Sequence, residues 1–192
     1  MKIGIIGGGA AGFFAAIHAS APGTEVTIFE KSPKLLSKVK VSGGGRCNVT
    51  HRPMEISKLV KNYPRGEKFL KRVFPKFKSE DTIKWFESRG VALKIEADGR
   101  MFPVSDSSQS IIDVLLKEAK KLNITIRKSC GVKSITPADS QYKLETDDGT
   151  FLVDKLIIAT GGHPKLDSYS FLQHFRSNPI TFYFQYSQRI TA

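Results

Sequence analysis

The chain is poor in cysteine, in acidic side chains and in long apolar runs. It has two cysteines in 192 residues, Cys47 and Cys130, 83 positions apart. With no CxxC between them, they give no disulfide framework, no metal-ligand cluster and no dithiol redox pair. Such sparing use of cysteine fits a reducing compartment, so a cytoplasmic location is expected. No apolar stretch approaches the ~18–20 residues of a membrane span. The apolar start is Gly-rich and has no cleavage site, so it does not read as a signal peptide, and no membrane partner is expected. Internal repeats and low-complexity segments are also missing.

Acids are outnumbered, 18 against 30 Lys and Arg, which leaves a net charge of +12. That balance fits nucleic acid, a phosphate-rich cofactor or a solvated basic surface. The cations run from Lys2 to Arg189 and are densest over 31–46 and 58–78. No nucleic-acid motif accompanies them, so no nucleic-acid partner is expected.

The hydrophobic content, 40%, is enough for the core of one domain of ordinary size. "KIGII" over 2–6 is a short apolar run, "GGGAAG" a turn, "FFAAIHAS" helix-compatible, and "TEVTIFE" over 24–30 a β-branched strand. Strand, glycine turn, helix and strand within thirty residues form one βαβ unit. Its turn reads Gly7-x-Gly9-x-x-Gly12. Gly7 permits the tight turn, Gly9 lets a pyrophosphate approach the backbone, and Gly12 lets helix and strand pack. The start of the helix offers free N–H groups to phosphate. Glu30 follows Gly12 by 18 positions, where an acid accepting from ribose hydroxyls belongs.

Residues 31–52 lack periodicity and read as a long loop. Short helices are expected over 53–90. The clearest is "SEDTIKWFESRG", with Ser79 as N-cap, an apolar face from Thr82 to Phe86 and Gly90 as its stop. "VALKIEADGRMFPV" reads as two strands about Asp98-Gly99. "SDSSQSIIDVLLKEAKKLN" reads as an amphipathic helix with Ile111, Ile112, Leu115, Leu116, Ala119 and Leu122 on one face. Beyond it, Ile124, Ile126 and the stretch around Val132 suit buried strands. "QYKLET" and "FLVDK" read as a hairpin closed by an Asp-Gly turn. "KLIIATGG" reads as a buried parallel strand that runs into a second glycine turn. Two glycine turns at strand ends suit a large ligand across the carboxyl edge of a parallel sheet.

Four stretches, taken in order, carry a family resemblance: GxGxxG with Glu30, "KVSGGGRCNVT", "GRMFPVSD" at 99–106 and "IIATGGHPKLDS" at 157–168. Together they resemble the BaiN/RdsA-like NAD(P)/FAD-dependent flavoproteins, often described as aminoacetone oxidases. The match runs from residue 1 to about 170. It implies an α/β, Rossmann-like FAD-binding domain with a central parallel sheet and a small β-hairpin or meander. It implies hydride or electron transfer from NAD(P)H through FAD to an organic acceptor or oxygen.

Under the resemblance, Gly7, Gly9, Ala10, Ala11, Gly12, Glu30 and Lys31 hold the adenosine half of FAD. Val132 matches the strand position whose backbone meets the adenine, and a plain core valine fits the same residue. Ala159, Thr160 and Gly161 match a later FAD-contacting turn. Gly43, Gly44, Gly45, Arg46, Cys47 and Asn48 fall nearer the flavin ring. Glycine backbone or the Arg46 guanidinium there could meet charge that develops on the ring. Arg46 equally suits a surface ion pair or a pyrophosphate contact. Cys47 reads as a small buried thiol beside the cofactor. His51 and His163 are candidate proton donors with no legible partner, so no catalytic residue and no metal is assigned.

The family pattern stops near residue 170. The expectation is an FAD-binding domain over 1–170, an aberrant or unstructured tail over 171–192, and no substrate domain. The fold is then incomplete relative to the two-dinucleotide-binding flavoproteins. Aromatics such as Phe182, Tyr183, Phe184 and Tyr186 would favour association, and FAD would be held weakly, with little turnover. Two other readings stay open: a dinucleotide-binding module that does no chemistry, and a basic nucleic-acid-binding protein. Substrate and oligomeric state are not legible.

Overall fold

The structure is a computed structural model that describes residues 1–162 and 169–172. The described residues form two compact units, one built from Met1–Ser37 and those from Leu115 on, the other from Lys38–Val114.

In the first unit, β1 (Lys2–Ile6), β2 (Glu25–Phe29), β6 (Thr125–Arg127) and β10 (Lys155–Ile158) form a parallel sheet ordered β10-β1-β2-β6. Ile5 pairs with Ile28 on one side and Ile157 on the other. All of β1 after Lys2 is buried, as an apolar run covered on both faces should be. The crossover helix α1 (Ala10–Ala19) turns Gly12, Phe13, Ala16 and Ile17 inward, a single helical stripe.

A three-stranded antiparallel meander follows, β7 (Val132–Ala138), β8 (Gln141–Thr146) and β9 (Gly149–Val153). Gly4 on β1 makes room for it: a Cβ there would stand 3.1 Å from Val153 Cγ1. Ile6, Phe29, Cys130, Ile135, Leu144, Val153 and Leu172 close one core cluster. The expected α/β architecture, with its parallel sheet and small meander, is present.

The second unit holds a smaller antiparallel sheet ordered β3-β5-β4, from β3 (Thr50–His51), β4 (Leu93–Ile95) and β5 (Arg100–Pro103). Around it in sequence lie α2 (Ser37–Val41), α3 (Ile56–Leu59), α4 (Glu67–Val73) and α5 (Ser79–Glu87). Helix α6 (Ser108–Lys121) begins in this unit and ends in the first. Phe102, in the middle strand, is fully buried.

Several local expectations are corrected. Residues 31–52 are not one loop, because α2, a 3-10 turn over Ser42–Gly45 and β3 lie within them. The N-cap of α5 is Lys78 rather than Ser79, since Asp81 accepts the Lys78 N–H at 3.0 Å in a capping-box contact. Its stop is as expected: Gly90 (φ 85°) donates to Glu87 and Val91 to Phe86, a Schellman closure. On α6, Leu122 lies one residue past the last turn and is 37% exposed, while Val114 is buried. The β8–β9 turn residues are Asp147 and Asp148, one position earlier than Asp-Gly. Gly149 takes the positive φ (116°) just after them and pairs with Thr146, so the register runs unbroken to the turn. Strand β10 is half-buried rather than buried, since it stands at the sheet edge among the described residues. No helix of the described residues is long and apolar enough to cross a membrane.

Candidate functional site

At the carboxyl end of the parallel sheet, β1 runs into the first glycine turn. Gly7 (φ 114°) donates to the Phe29 carbonyl at 2.8 Å. A Cβ on Gly7 would stand 2.5 Å from the Ala159 carbonyl oxygen, so only glycine lets β10 end beside it. A Cβ on Gly12 would strike the Gly7 carbonyl oxygen. Gly9 differs, since a Cβ there would meet no atom within 4 Å. Two of the three motif glycines are therefore fixed by packing, and the third faces open space.

Helix α1 starts at that opening. Gly9 is its N-cap with no side-chain cap, and its first turn carries no acid. Phe13 is the residue whose N–H reaches the Gly9 carbonyl. The amides of Ala10, Ala11 and Gly12 precede that bond, as the first donors of any helix do. Uncapped donors at a positive helix end suit a phosphate.

Glu30 closes the other side. Its Oε2 accepts the Gly8 N–H at 2.7 Å and its Oε1 the Ser32 N–H at 2.8 Å. Each carboxylate oxygen keeps a further lone pair for a hydroxyl donor. The backbone around Glu30 is pinned as well: its N–H donates to Arg127 and its carbonyl accepts from Cys130. Beside it lies a cleft of about 140 Å³ lined by Ile6, Gly7, Phe29, Glu30, Lys31, Gly131, Val132, Thr160 and Phe171.

The first unit thus gathers five sequence-derived residues into one cleft: Gly7, Glu30, Lys31, Val132 and Thr160. Ala159 lies against Gly7, and its N–H donates to Ile6 at 2.8 Å. Gly161 (φ 70°) follows, and its carbonyl accepts the Tyr169 hydroxyl. Sequence reasoning missed Ile6, Phe29, Gly131 and Phe171. Gly131 sits where a Cβ would approach Lys31 and Asp147, a tight junction that a glycine directly before a strand could have signalled. The sequence boundary falls between 170 and 171, yet Phe171 lines the cleft and Leu172 is 7% exposed in the core. His163 and the aromatics Phe182, Tyr183, Phe184 and Tyr186 lie outside the described residues.

The residues present fit a dinucleotide cofactor such as FAD. The empty space at Gly9, the uncapped helix start and the acid at the end of β2 are the features its pyrophosphate and ribose require.

In the second unit, "SGGGRCN" and "GRMFPVSD" prove to be one structural piece. Gly43, Gly44 and Gly45 all take left-handed φ (54°, 68°, 88°), and Cys47 joins them at 63°. Such a run is open to glycine and costly for other residues. A Cβ on Gly43 would meet Phe102 Cε1 at 2.8 Å. The Arg46 guanidinium lies over the same ring, 4.1 Å from its centroid. Arg46 also pairs with Glu96, and with Asp106 at 3.7 Å. The hydrogen bond to Glu96 raises its already high pKa. Asp106 is held below the usual carboxylate range, chiefly by its bond to Lys94, with Arg46 adding to the effect.

The Asn48 amide nitrogen, oriented to satisfy its neighbours, donates to the carbonyls of Thr50 (2.8 Å) and Met101 (3.2 Å). Cys47 is buried, and burial pushes its thiol pKa up despite a hydrogen bond with Ser42. His51 Nε2 lies 3.1 Å from the Asp98 carbonyl oxygen. Among the described residues no group of three His, Cys, Asp or Glu is placed to hold a metal.

Comparison with known proteins matches this geometry. A family model described as the HI0933-like protein Rossmann domain covers residues 1–178. The ribosomal RNA dihydrouridine synthase of Escherichia coli (strain K12) is 34% identical over 158 residues, 82% of this chain and 38% of that protein. The 3-dehydro-bile acid delta(4,6)-reductase of Clostridium scindens is 31% identical over 163 residues, 84% of this chain and 39% of that protein. The chain therefore spans under two fifths of the length of these relatives. Among solved structures, the open conformation of a flavocytochrome c3 fumarate reductase shares the fold with a TM-score of 0.60 at 21% identity, over 84% of this chain and 33% of that one. The resemblance to BaiN/RdsA-like proteins read from the motifs holds, and the chain belongs to the HI0933-like Rossmann-domain family.

Proposed function

We propose that the chain is the FAD-holding part of an oxidoreductase that takes hydride from NAD(P)H and reduces an activated carbon–carbon double bond. The observation that carries this reading is the β1–α1 turn, where open space at Gly9, uncapped helix amides and Glu30 converge. Gly9, Ala10 and Ala11 would hold the pyrophosphate through backbone N–H groups. Glu30 would accept from the ribose hydroxyls with its spare lone pairs, and Lys31 and Val132 would flank the adenosine. Ala159, Thr160 and Gly161 would approach from the end of β10. When bound, FAD supplies a ring that accepts and donates hydride.

Residues 43–48 enter the proposal in a narrower form. Gly43 and Gly44 keep an exposed backbone within the second unit, as the family's flavin-side loop would require. Arg46, held by Glu96 and Asp106, stiffens the turn, while Asn48 and buried Cys47 fix its exit.

The reaction class is supported by the relatives. One is named for making dihydrouridine in ribosomal RNA, the other for reducing delta(4,6) of a 3-dehydro-bile acid. Both names describe hydrogen added across a carbon–carbon double bond. The test is to mix the purified chain with FAD, read the visible absorbance that stays with protein, and follow its anaerobic bleaching by NADPH and by NADH. Weak, saturable retention with bleaching is expected, in line with the short span of the chain. Retention without bleaching by either nicotinamide leaves a dinucleotide-binding module, and no retention overturns the assignment of the cleft.

A further inference from the structure

The charge of this protein is concentrated in one short stretch of the second unit. Residues 56–78 hold eight Lys and Arg (Lys58, Lys61, Arg65, Lys68, Lys71, Arg72, Lys76, Lys78) against one acid, Glu67. That net +7 is more than half of the chain's +12, carried by 23 residues. The dinucleotide cleft, built in the first unit, uses none of them.

Three of these cations are partly neutralised by neighbours: Lys58 by Glu55, Lys61 by Glu67 and Lys78 by Glu80. Lys68, Lys71, Arg72 and Lys76 are exposed and make no ion pair with a described residue. Their order is regular. Lys68, Arg72 and Lys76 recur at i, i+4 and i+8 along α4 and the turn that prolongs it, where Phe77 N–H still reaches Val73. Side chains at that spacing form one row, and Lys71 stands beside it. Phe69, on the flank of the row, is 45% exposed. Leu70, Val73 and Phe74 take the opposite arc and are half-buried.

We infer that this face of α4 is a docking surface for single-stranded RNA. A row of uncompensated cations with an aromatic at its edge is what a single strand needs: charges to track phosphates and a flat ring on which a base can stack. Unpaired bases are what RNA loops present and what a closed duplex withholds. A lipid surface fits less well. An interfacial helix buries its apolar face in the bilayer, whereas α4 turns that face inward and is cut off by Pro64 and Pro75. The surface stands apart from the FAD reading and holds or fails without it. It takes up the nucleic-acid reading that the sequence left open beside the expectation of no such partner.

The test is fluorescence anisotropy of a labelled single-stranded RNA 20-mer titrated with the full chain across a salt series. Four neutralised phosphates on a single strand predict a log K against log salt slope of about −2.8. The variant Lys68→Gln/Arg72→Gln/Lys76→Gln is expected to bind at least about tenfold more weakly at low salt and to flatten the slope by about 2. Phe69→Ala is expected to weaken binding roughly five-fold or more without changing the slope. The charge-matched control Lys117→Gln/Lys120→Gln/Lys121→Gln removes three exposed cations of α6 and is expected to leave binding within about twofold. Circular dichroism confirms that each variant is folded. Equal loss in both triple variants would show attraction by net charge alone and overturn the proposal. So would tighter binding to duplex DNA, or to vesicles of phosphatidylserine and phosphatidylcholine, through the same three residues.

Discussion

A Cβ on Gly12 would coincide with the carbonyl oxygen of Gly7, so the first turn of α1 can lie against the end of β1 only while position 12 has no side chain. Gly9, three residues earlier, has no such neighbour, and its extended backbone (φ −91°, ψ −173°) suits any residue. The two positions should therefore separate folding from binding. Gly12→Ala is expected to cost on the order of 3 kcal/mol or to prevent folding. Gly9→Ala should change stability by less than about 1 kcal/mol, yet weaken FAD at least about tenfold by filling the space meant for pyrophosphate. Urea melts with flavin-fluorescence titrations check both. A Gly9→Ala chain that binds FAD as the parent does would mean that the cofactor does not pass this turn.

Glu30 carries a structural and a binding role in the same carboxylate. It accepts two backbone N–H groups, from Gly8 and Ser32, and such charge-assisted bonds are stronger than neutral ones. Glu30→Ala is expected to lose about 1–3 kcal/mol of stability, because it leaves two part-buried donors unpaired. Glu30→Gln keeps one acceptor and should lose less stability, while still weakening cofactor binding. If the two variants lose affinity only in proportion to stability, Glu30 is a brace for the turn and not a ribose ligand.

What could be read in advance follows from how local each cause is. GxGxxG was legible because the roles of Gly7, Gly9 and Gly12 are set within one strand–turn–helix, and Glu30 because it ends the next strand. The roles within the second motif were not. Arg46 finds Glu96 fifty residues on and Asp106 sixty residues on, and no periodicity announces such a pairing. In the sequence "SGGGRCN" and "GRMFPVSD" stand as separate signatures, whereas in the fold Phe102 stands beneath Gly43 and Arg46 at once. Likewise the cleft wall at Phe29 and Thr160 comes from sheet order, which brings together the ends of β2 and β10, more than a hundred residues apart. Motif spacing could place the phosphate turn, but only the fold could show what faces it.

Gly131, on the cleft wall, is tied to a carboxylate whose pKa is depressed. Asp147 Oδ2 accepts the Gly131 N–H at 2.9 Å and Oδ1 pairs with Lys133 at 2.8 Å. The Lys133 bond is the larger cause of the depression and the Gly131 amide the next. A carboxyl whose pKa is lower folded than unfolded contributes stability above its unfolded value, and loses it as pH falls through the folded one. The acid limb of the stability profile should therefore steepen from the ordinary carboxylate range downward. Asp147→Asn should flatten that limb while leaving stability near neutral pH lower than the parent's. Thermal melts at stepped acid pH read this directly, and an unchanged limb in Asp147→Asn would remove the tie from the account.

Cys47 offers a probe of the triglycine turn. Burial raises its thiol pKa and outweighs the bond with Ser42, so the reactive thiolate is scarce at neutral pH. Cys130 is fully buried in the core of the first unit. Native chain is expected to react slowly with a thiol reagent at pH 7.5, and two thiols should appear at once on unfolding. Removing the platform should expose Cys47 selectively. In Phe102→Ala the ring under Gly43 and Arg46 is gone, so Cys47 should label roughly tenfold faster or more while Cys130 stays protected, as expected for local opening short of global unfolding. Mass spectrometry of the labelled peptides separates the two sites. Simultaneous release of both thiols would mean that Phe102 supports the whole fold rather than this turn.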